Sequence, residues 1–252
     1  IRFFLGCISL LPLLIFSRNK NRFKAEAGLI SSSIVSGIFL FAGISLQQVG
    51  LVYTTAGKAG FITGLYVIFV PFLNLFLKQE KTTLPTWAGA VLAAIGMYLL
   101  SVTQTMQVNK GDVLVLFSAV CFAFHLIVIA RFSIQFNTAK LSFLQCLICA
   151  LLSLAVAAVF ERFVLDDILT VALPLLYGGV MSVGVAYSLQ IYGQKNSPAS
   201  HSAIILSLES LIAAIGGWII LNELLSGRGI VGCALMLTGM FLSQLYRKKI
   251  HP

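Results

Sequence analysis

The side chain most able to do chemistry in this sequence is an acid inside an apolar run. Glu209 stands near the middle of Ser200–Leu221, on a helical face with Ser202, Ala213 and Gly216. Hydrocarbon does not solvate a carboxylate, so a group at that depth must face protein or a water-filled cavity. Two chemistries then compete with a structural role: proton binding near neutral pH, or recognition of a substrate amine. The structural role is a permanently protonated carboxyl that hydrogen-bonds a neighbouring helix.

Amides and aromatics supply the other candidates. Gln47 and Gln190 end matching faces of small residues, Ser36–Gly43–Gln47 and Gly179–Ala186–Gln190, with 143 residues between equivalent positions. Two such amides offer donors and acceptors to a polar or zwitterionic substrate, or they satisfy interhelical contacts near the membrane edge. Tyr66 occupies the position 143 residues before Glu209, with Thr63 one turn ahead of it. Its ring suits stacking on a substrate or its cation, and equally suits plain packing. His125 shares a face with Ser118 and Cys121 and titrates in the range a proton relay needs, although a lone histidine is also an ordinary core residue. Tyr187, three residues before Gln190, is a further cavity candidate.

Other features carry less. Cys146-x-x-Cys149 has no second pair and no nearby His, so no metal or other cofactor is expected. Ala56-Gly57-Lys58-Ala59 lacks the glycine spacing and the hydroxyl after Lys that a phosphate loop requires. Three distant histidines and eight scattered acids do not form a catalytic set, which argues against an enzyme. Glu80 and Glu223 recur at equivalent helix ends, where capping explains them.

The elements that position these residues are membrane spans. The chain has 252 residues, 59% of them hydrophobic and 10% charged, with a mean hydropathy of +0.99. A soluble domain carries about 25% charge. Nine apolar runs approach the roughly 20 residues that a helix needs to cross a bilayer. They are Ile1–Phe16, Leu29–Tyr53, Ala59–Leu77, Leu84–Val102, Val113–Ala130, Leu141–Phe160, Leu169–Tyr192, Ser200–Leu221 and Ile230–Tyr246. Continuous apolarity excludes a β-barrel, and the short connections leave no room for a soluble domain. Of the seventeen Lys and Arg, twelve fall in alternate loops and the C-terminal tail and five on the opposite side. The positive-inside bias therefore places the C-terminus in the cytoplasm, and no nucleic-acid partner is implied.

An internal duplication organises the spans. At an offset of 143, residues 45–101 share 13 identities with their second-half counterparts, where composition alone gives about four or five. They include Ser45-Leu46-Gln47 with Ser188-Leu189-Gln190, Glu80 with Glu223, Gly89 with Gly232, and Gly96-Met97 with Gly239-Met240. The offset spans five crossings, an odd number, so the two copies run in opposite directions. Inverted repeats are the construction of secondary transporters. Val113–Ala130 then has no partner within the chain, and a further helix is expected before Ile1. Gly60–Gly64 and the small faces Gly89/Gly96 and Gly232/Gly239 suit close helix packing, within the monomer or across a homodimer.

The stretch Tyr53-Thr54-Thr55-Ala56-Gly57-Lys58-Ala59-Gly60-Phe61, the helix ending at Glu80 followed by Gly89 to Gly96, and the run Ser207-Leu208-Glu209-Ser210 through Glu223 and Gly232 to Gly239 resemble the EamA-like branch of the drug/metabolite transporter superfamily. In one departure, Ser210 stands where the family's second half often has Pro after the Glu. The resemblance implies an all-α integral membrane bundle of ten helices in two inverted five-helix repeats, nine of the helices lying in this chain. Residues 1–102 are then the first repeat without its first helix, 111–246 the second, and 247–252 a cytoplasmic basic tail. It further implies a multi-pass protein of the inner (plasma) membrane that exports amino acids, small metabolites or drugs, with proton coupling one route to drive. The helices implied to line its central cavity correspond here to Leu29–Tyr53, Ala59–Leu77, Val113–Ala130, Leu169–Tyr192 and Ser200–Leu221. A multispan enzyme acting on a lipid-linked substrate lacks the clustered acids it needs, and a channel or scaffold lacks a filter signature.

Overall fold

A computed structural model describes residues 1–16, 26–78, 82–101, 108–161, 165–221 and 226–245. Glu80, Glu223 and the basic tail lie outside them. The described residues are helical throughout, with no strand among them. In chain order the helices are α1 Arg2–Phe16, α2 Glu26–Leu51, α3 Ala56–Gly64, α4 Tyr66–Leu77, α5 Leu84–Ser101, α6 Lys110–Phe132, α7 Thr138–Phe160, α8 Leu165–Thr170, α9 Ala172–Tyr177, α10 Tyr187–Gln194, α11 Ala199–Ser207, α12 Glu209–Leu221 and α13 Gly227–Leu245, with a π-helical segment Gly178–Ala186 between α9 and α10. Among the described residues, seven helical stretches are long and apolar enough to cross a membrane. Three of these are composite: Ala56–Leu77 is α3 plus α4, Ala172–Gln194 is α9, the π segment and α10, and Ala199–Ile220 is α11 plus most of α12. Large apolar side chains such as Phe76, Phe160, Trp218 and Ile220 lie exposed, as lipid-facing residues do.

Local chemistry sets several ends. The Thr55 hydroxyl caps α3 by accepting the Lys58 N–H at 3.4 Å. The Asn137 carbonyl oxygen accepts the N–H groups of Ala139 at 3.0 Å and Lys140 at 3.2 Å at the start of α7. Each satisfies donors that a helix start leaves open. Lys78, at φ 52°, closes α4 in the left-handed conformation, and its N–H bonds back to the Asn74 and Leu75 carbonyls.

The helices form two compact units, each drawn from both parts of the chain. The first comprises Ile1–Phe41 and Val128–Asn196. In it α1 lies on the π segment so closely that a Cβ on Gly6 would collide with the Val183 side chain, and a Cβ on Gly179 with Leu5. Gly37 of α2 likewise admits Ile148 of α7. Leu29, Ile129, Leu141 and Ile191 form its buried cluster.

The second unit comprises Ala42–Ile127 and Ser197–Pro252. At its centre α5 and α13 cross at four glycines. A Cβ on Gly96 would stand 2.5 Å from the Gly232 carbonyl oxygen, and a Cβ on Gly232 the same distance from that of Gly96. Gly89 and Gly239 repeat the arrangement at 2.6 Å in both directions. The two contacts exchange when each glycine is replaced by its counterpart 143 residues away, so the crossing has the two-fold symmetry of the repeat. Around it lie Val67, Ala90, Ala93, Met97, Ile204 and Met236, all buried. At one end Tyr98 of α5 receives the Arg228 guanidinium 5.1 Å from its ring centroid and the Phe61 ring edge-on at 5.5 Å.

Gly96→Ala should cost more than the roughly 1–3 kcal/mol of ordinary overpacking, because its obstruction is a backbone carbonyl. Gly60→Ala, with nothing within 4 Å of the added carbon, should leave thermal unfolding in detergent unchanged. Equal melting of the two variants would refute the crossing as the limiting contact.

Candidate functional site

Both spans that carry the leading candidates are broken, at equivalent residues. α3 ends at Gly64 and α4 begins at Tyr66, with Leu65 between them at φ −61°, ψ −10° and its N–H bonded to the Ile62 carbonyl at 3.2 Å. α11 ends at Ser207 and α12 begins at Glu209, with Leu208 at φ −65°, ψ −9° and its N–H on the Ile205 carbonyl at 3.1 Å. Each leucine has thus tightened from an i−4 to an i−3 bond. In the second break the Ser207 hydroxyl donates to the Ile204 carbonyl at 2.7 Å, occupying the acceptor that Leu208 would use in a continuous helix. In the first, Gly64 removes the side chain where the Met97 thioether sits, and Pro71 deprives α4 of one backbone donor. The span therefore breaks although Ser210 stands where the family pattern often has Pro. Leu65 and Leu208 both lean on the apolar cluster around the α5–α13 crossing.

The breaks bring some expected site residues together and separate others. Gln47 of α2 donates through Nε2 to the Thr63 hydroxyl at 2.9 Å, joining two candidates one turn before Tyr66, which is half-buried. Leu206 occupies the position 143 residues after Thr63, so the second repeat has no hydroxyl to copy this bond. Glu209 is exposed at the first turn of α12, where the helix dipole favours a negative group. Ser202, on the same face of an unbroken helix, is instead buried on the other side of the break. His125 is 1% exposed within α6. Its helix packs on α2 through Ser118, which donates to the Gly43 carbonyl at 2.6 Å, and through Phe122 against Gly43. Gln190 and Tyr187 belong to the other compact unit. Gln190 is half-buried on α10, and the Tyr187 ring lies 6.3 Å from that of Phe3.

Two polar contacts were not anticipated from the sequence. Asn74 of α4 donates through Nδ2 to the Ser200 hydroxyl of α11 at 3.1 Å, with both residues buried. Asn74 is a polar residue inside an apolar run, so the rule that selects Glu209 also selects it. Thr54 donates to the Asp112 carboxylate at 2.5 Å, and the Asn109 N–H reaches the other carboxylate oxygen at 2.9 Å. That clasp joins the end of α2 to the start of α6 across 58 residues of sequence, beyond the reach of periodicity. Among the described residues no three His, Cys, Asp or Glu side chains converge as a metal site would require.

Apolar helices broken at symmetry-equivalent positions, with polar side chains at the breaks, define a class: a membrane transporter built from repeats. The chain belongs to the EamA-like transporter family, which it matches over residues 1–102 and 109–245. It is 34% identical over 245 residues to a protein of Archaeoglobus fulgidus named as an uncharacterized transporter, covering 97% of this chain and 75% of that one. The transporter YcxC of Bacillus subtilis is 25% identical over 81% of this chain and 70% of its own. A WAT1-related protein of Arabidopsis thaliana is 23% identical over 97% and 76%. A solved structure superposes on all of this chain and 87% of its own with a TM-score of 0.77 at 19% identity, which establishes the shared fold.

The Gln47–Thr63 bond is open to a double-mutant test. Gln47→Leu and Thr63→Val should each lower stability in detergent by about 1 kcal/mol, and the double variant should be no less stable than the worse single. Additive losses would show that the two side chains do not act as a pair.

Proposed function

We propose that the protein is a secondary transporter that exports small polar solutes, of the amino acid, metabolite or drug class, by alternating access. The observation that carries this reading is the pair of helix breaks at Leu65 and Leu208, equivalent under the duplication and seated on one apolar cluster. Broken helices place backbone groups and helix ends at mid-membrane, where a solute stripped of water needs them. The polar side chains at the breaks become the binding groups. Glu209 takes a proton or a substrate amine, Tyr66 offers a ring to a cation, and the Gln47–Thr63 pair offers an amide and a hydroxyl. His125 and Tyr187, packed against neighbouring side chains, serve as supports.

The repeats 1–102 and 111–246 supply the two related halves of the transport path. On this reading the C-terminus faces the cytoplasm, as the charge bias favours, and the membrane is the inner (plasma) membrane. Alternating access uses only differential affinity, so export against a gradient draws on a second gradient, and a protonatable Glu209 supplies the coupling. The same carboxylate occurs in no arrangement that suggests hydrolysis.

Counterflow of radiolabelled amino acids in proteoliposomes, with and without an imposed pH gradient, tests this reading. Wild-type protein should exchange at least one of them and accumulate it when the gradient is applied. Glu209→Gln should bring gradient-driven accumulation down to the level of protein-free liposomes. Exchange with unchanged pH dependence in Glu209→Gln would remove the coupling role. Absence of exchange for every amino acid, metabolite and drug assayed, with sound reconstitution, would remove the transporter mechanism.

A further inference from the structure

The Asn74–Ser200 bond has no counterpart under the duplication. It ties the last turn of α4 to the first turn of α11, at the end of the unit that carries Lys78. The two residues are 1% and 2% exposed, so the bond is shielded from competition by water. α4 ends just beyond it, where the left-handed Lys78 returns its N–H to the Asn74 carbonyl. Under the duplication α4 and α11 correspond to α12 and α3, and the residues 143 away from Asn74 and Ser200 are Gly217 and Gly57. Neither glycine has a side chain with which to make the bond. Gly57 also has no room to acquire one, since a Cβ there would stand 2.8 Å from the Ser101 carbonyl oxygen.

We propose that Asn74 and Ser200 form a one-sided latch that holds the basic-loop end of the transport path closed and so sets the resting state facing the other side. This rests on the alternating-access reading. In a perfectly duplicated protein the two facing states would have equal energy, because each is the other turned over. A buried neutral hydrogen bond present in only one of them favours that state by about five-fold. Opening that end parts α4 from α11 and breaks the bond.

A labelling experiment tests the latch without knowledge of the substrate. Ser210→Cys, beside the break in the second repeat, is reacted with a membrane-impermeant maleimide in right-side-out and inside-out vesicles, and labelling is read above that of the parent chain. The parent latch should allow labelling from both faces at unequal rates. Asn74→Ala and Ser200→Ala should each shift the ratio of the two rates about five-fold toward the basic-loop face, raising labelling there and lowering it at the opposite face, and the double variant should go no further. Ser200→Thr keeps the hydroxyl and should keep the parental rates, so the Ser200 pair carries the test if Asn74→Ala does not accumulate. Labelling from both faces with no shift in the alanine variants would overturn the latch alone. Labelling from a single face in every variant would overturn both the latch and alternating access.

Discussion

The second unit depends on the place where α5 and α13 cross with no side chain between their backbones. In lipid there is little hydrophobic drive to bring helices together, so contact must come from close packing and short-range polar attraction. Four glycines provide it by letting carbonyl oxygens approach the opposing Cα atoms, a geometry that also permits Cα–H···O contacts. The consequence reaches well beyond the crossing. Met97 and Met236, adjacent to those glycines, are fully buried and anchor the cluster on which both Leu65 and Leu208 lean. A broken span exchanges an i−4 backbone bond for a tighter i−3 one of poorer geometry. Here tertiary packing on a rigid, side-chain-free crossing holds the breaks in place.

The first unit solves the same problem with a different device. α1 meets a nine-residue π segment, GGVMSVGVA, whose glycines admit Leu5, Ser9 and Arg2 of α1 where a Cβ would collide. A π-helix is wider than an α-helix and is rare at this length. Its return to α-helical winding coincides with Ser188, whose hydroxyl donates to the Gly184 carbonyl at 2.6 Å and occupies an acceptor at the transition. As at Ser207, a hydroxyl satisfies a carbonyl where the regular ladder changes register. A serine hydroxyl on a backbone carbonyl therefore marks irregular winding in both of these spans.

Much of this was legible in the residues, and what was not has a physical cause. Apolar length located the spans because a bilayer imposes it, and the Gly89/Gly96 and Gly232/Gly239 faces were readable as packing surfaces because close approach tolerates little else. The face assigned to Glu209 failed at one point: it assumed a straight helix, and the turn at Leu208 buries Ser202 while leaving Glu209 exposed. Hydropathy does not register such a turn, since Leu65 and Leu208 are ideal residues for an unbroken span. The signal lay in their neighbours, Gly64 and Ser207, whose effect depends on where Met97 and the Ile204 carbonyl stand in three dimensions. The Asn74–Ser200 and Thr54–Asp112 bonds join residues 126 and 58 positions apart, a separation that no local pattern encodes.

Duplication explains why the asymmetries carry the most information. Two copies of one fold, inserted in opposite senses, make the two faces of the membrane equivalent as far as the backbone is concerned. Side chains then decide everything that distinguishes inside from outside. Tyr66 opposite Glu209, Thr63 opposite Leu206, and Asn74 and Ser200 opposite Gly217 and Gly57 are each a departure from equivalence at or near the helices that break. On the proposed alternating-access cycle, such departures set which state is populated at rest and how tightly a solute binds in each. They do not by themselves give transport a direction, because a cycle at equilibrium runs equally both ways whatever its resting state. Direction needs a gradient, and Glu209 is the ionisable side chain at the second break to which the proposed coupling is assigned. On the proposed alternating-access cycle the duplicated backbone supplies two related states, the uncharged asymmetries set their balance, and Glu209 is the departure from symmetry at which an energy source enters.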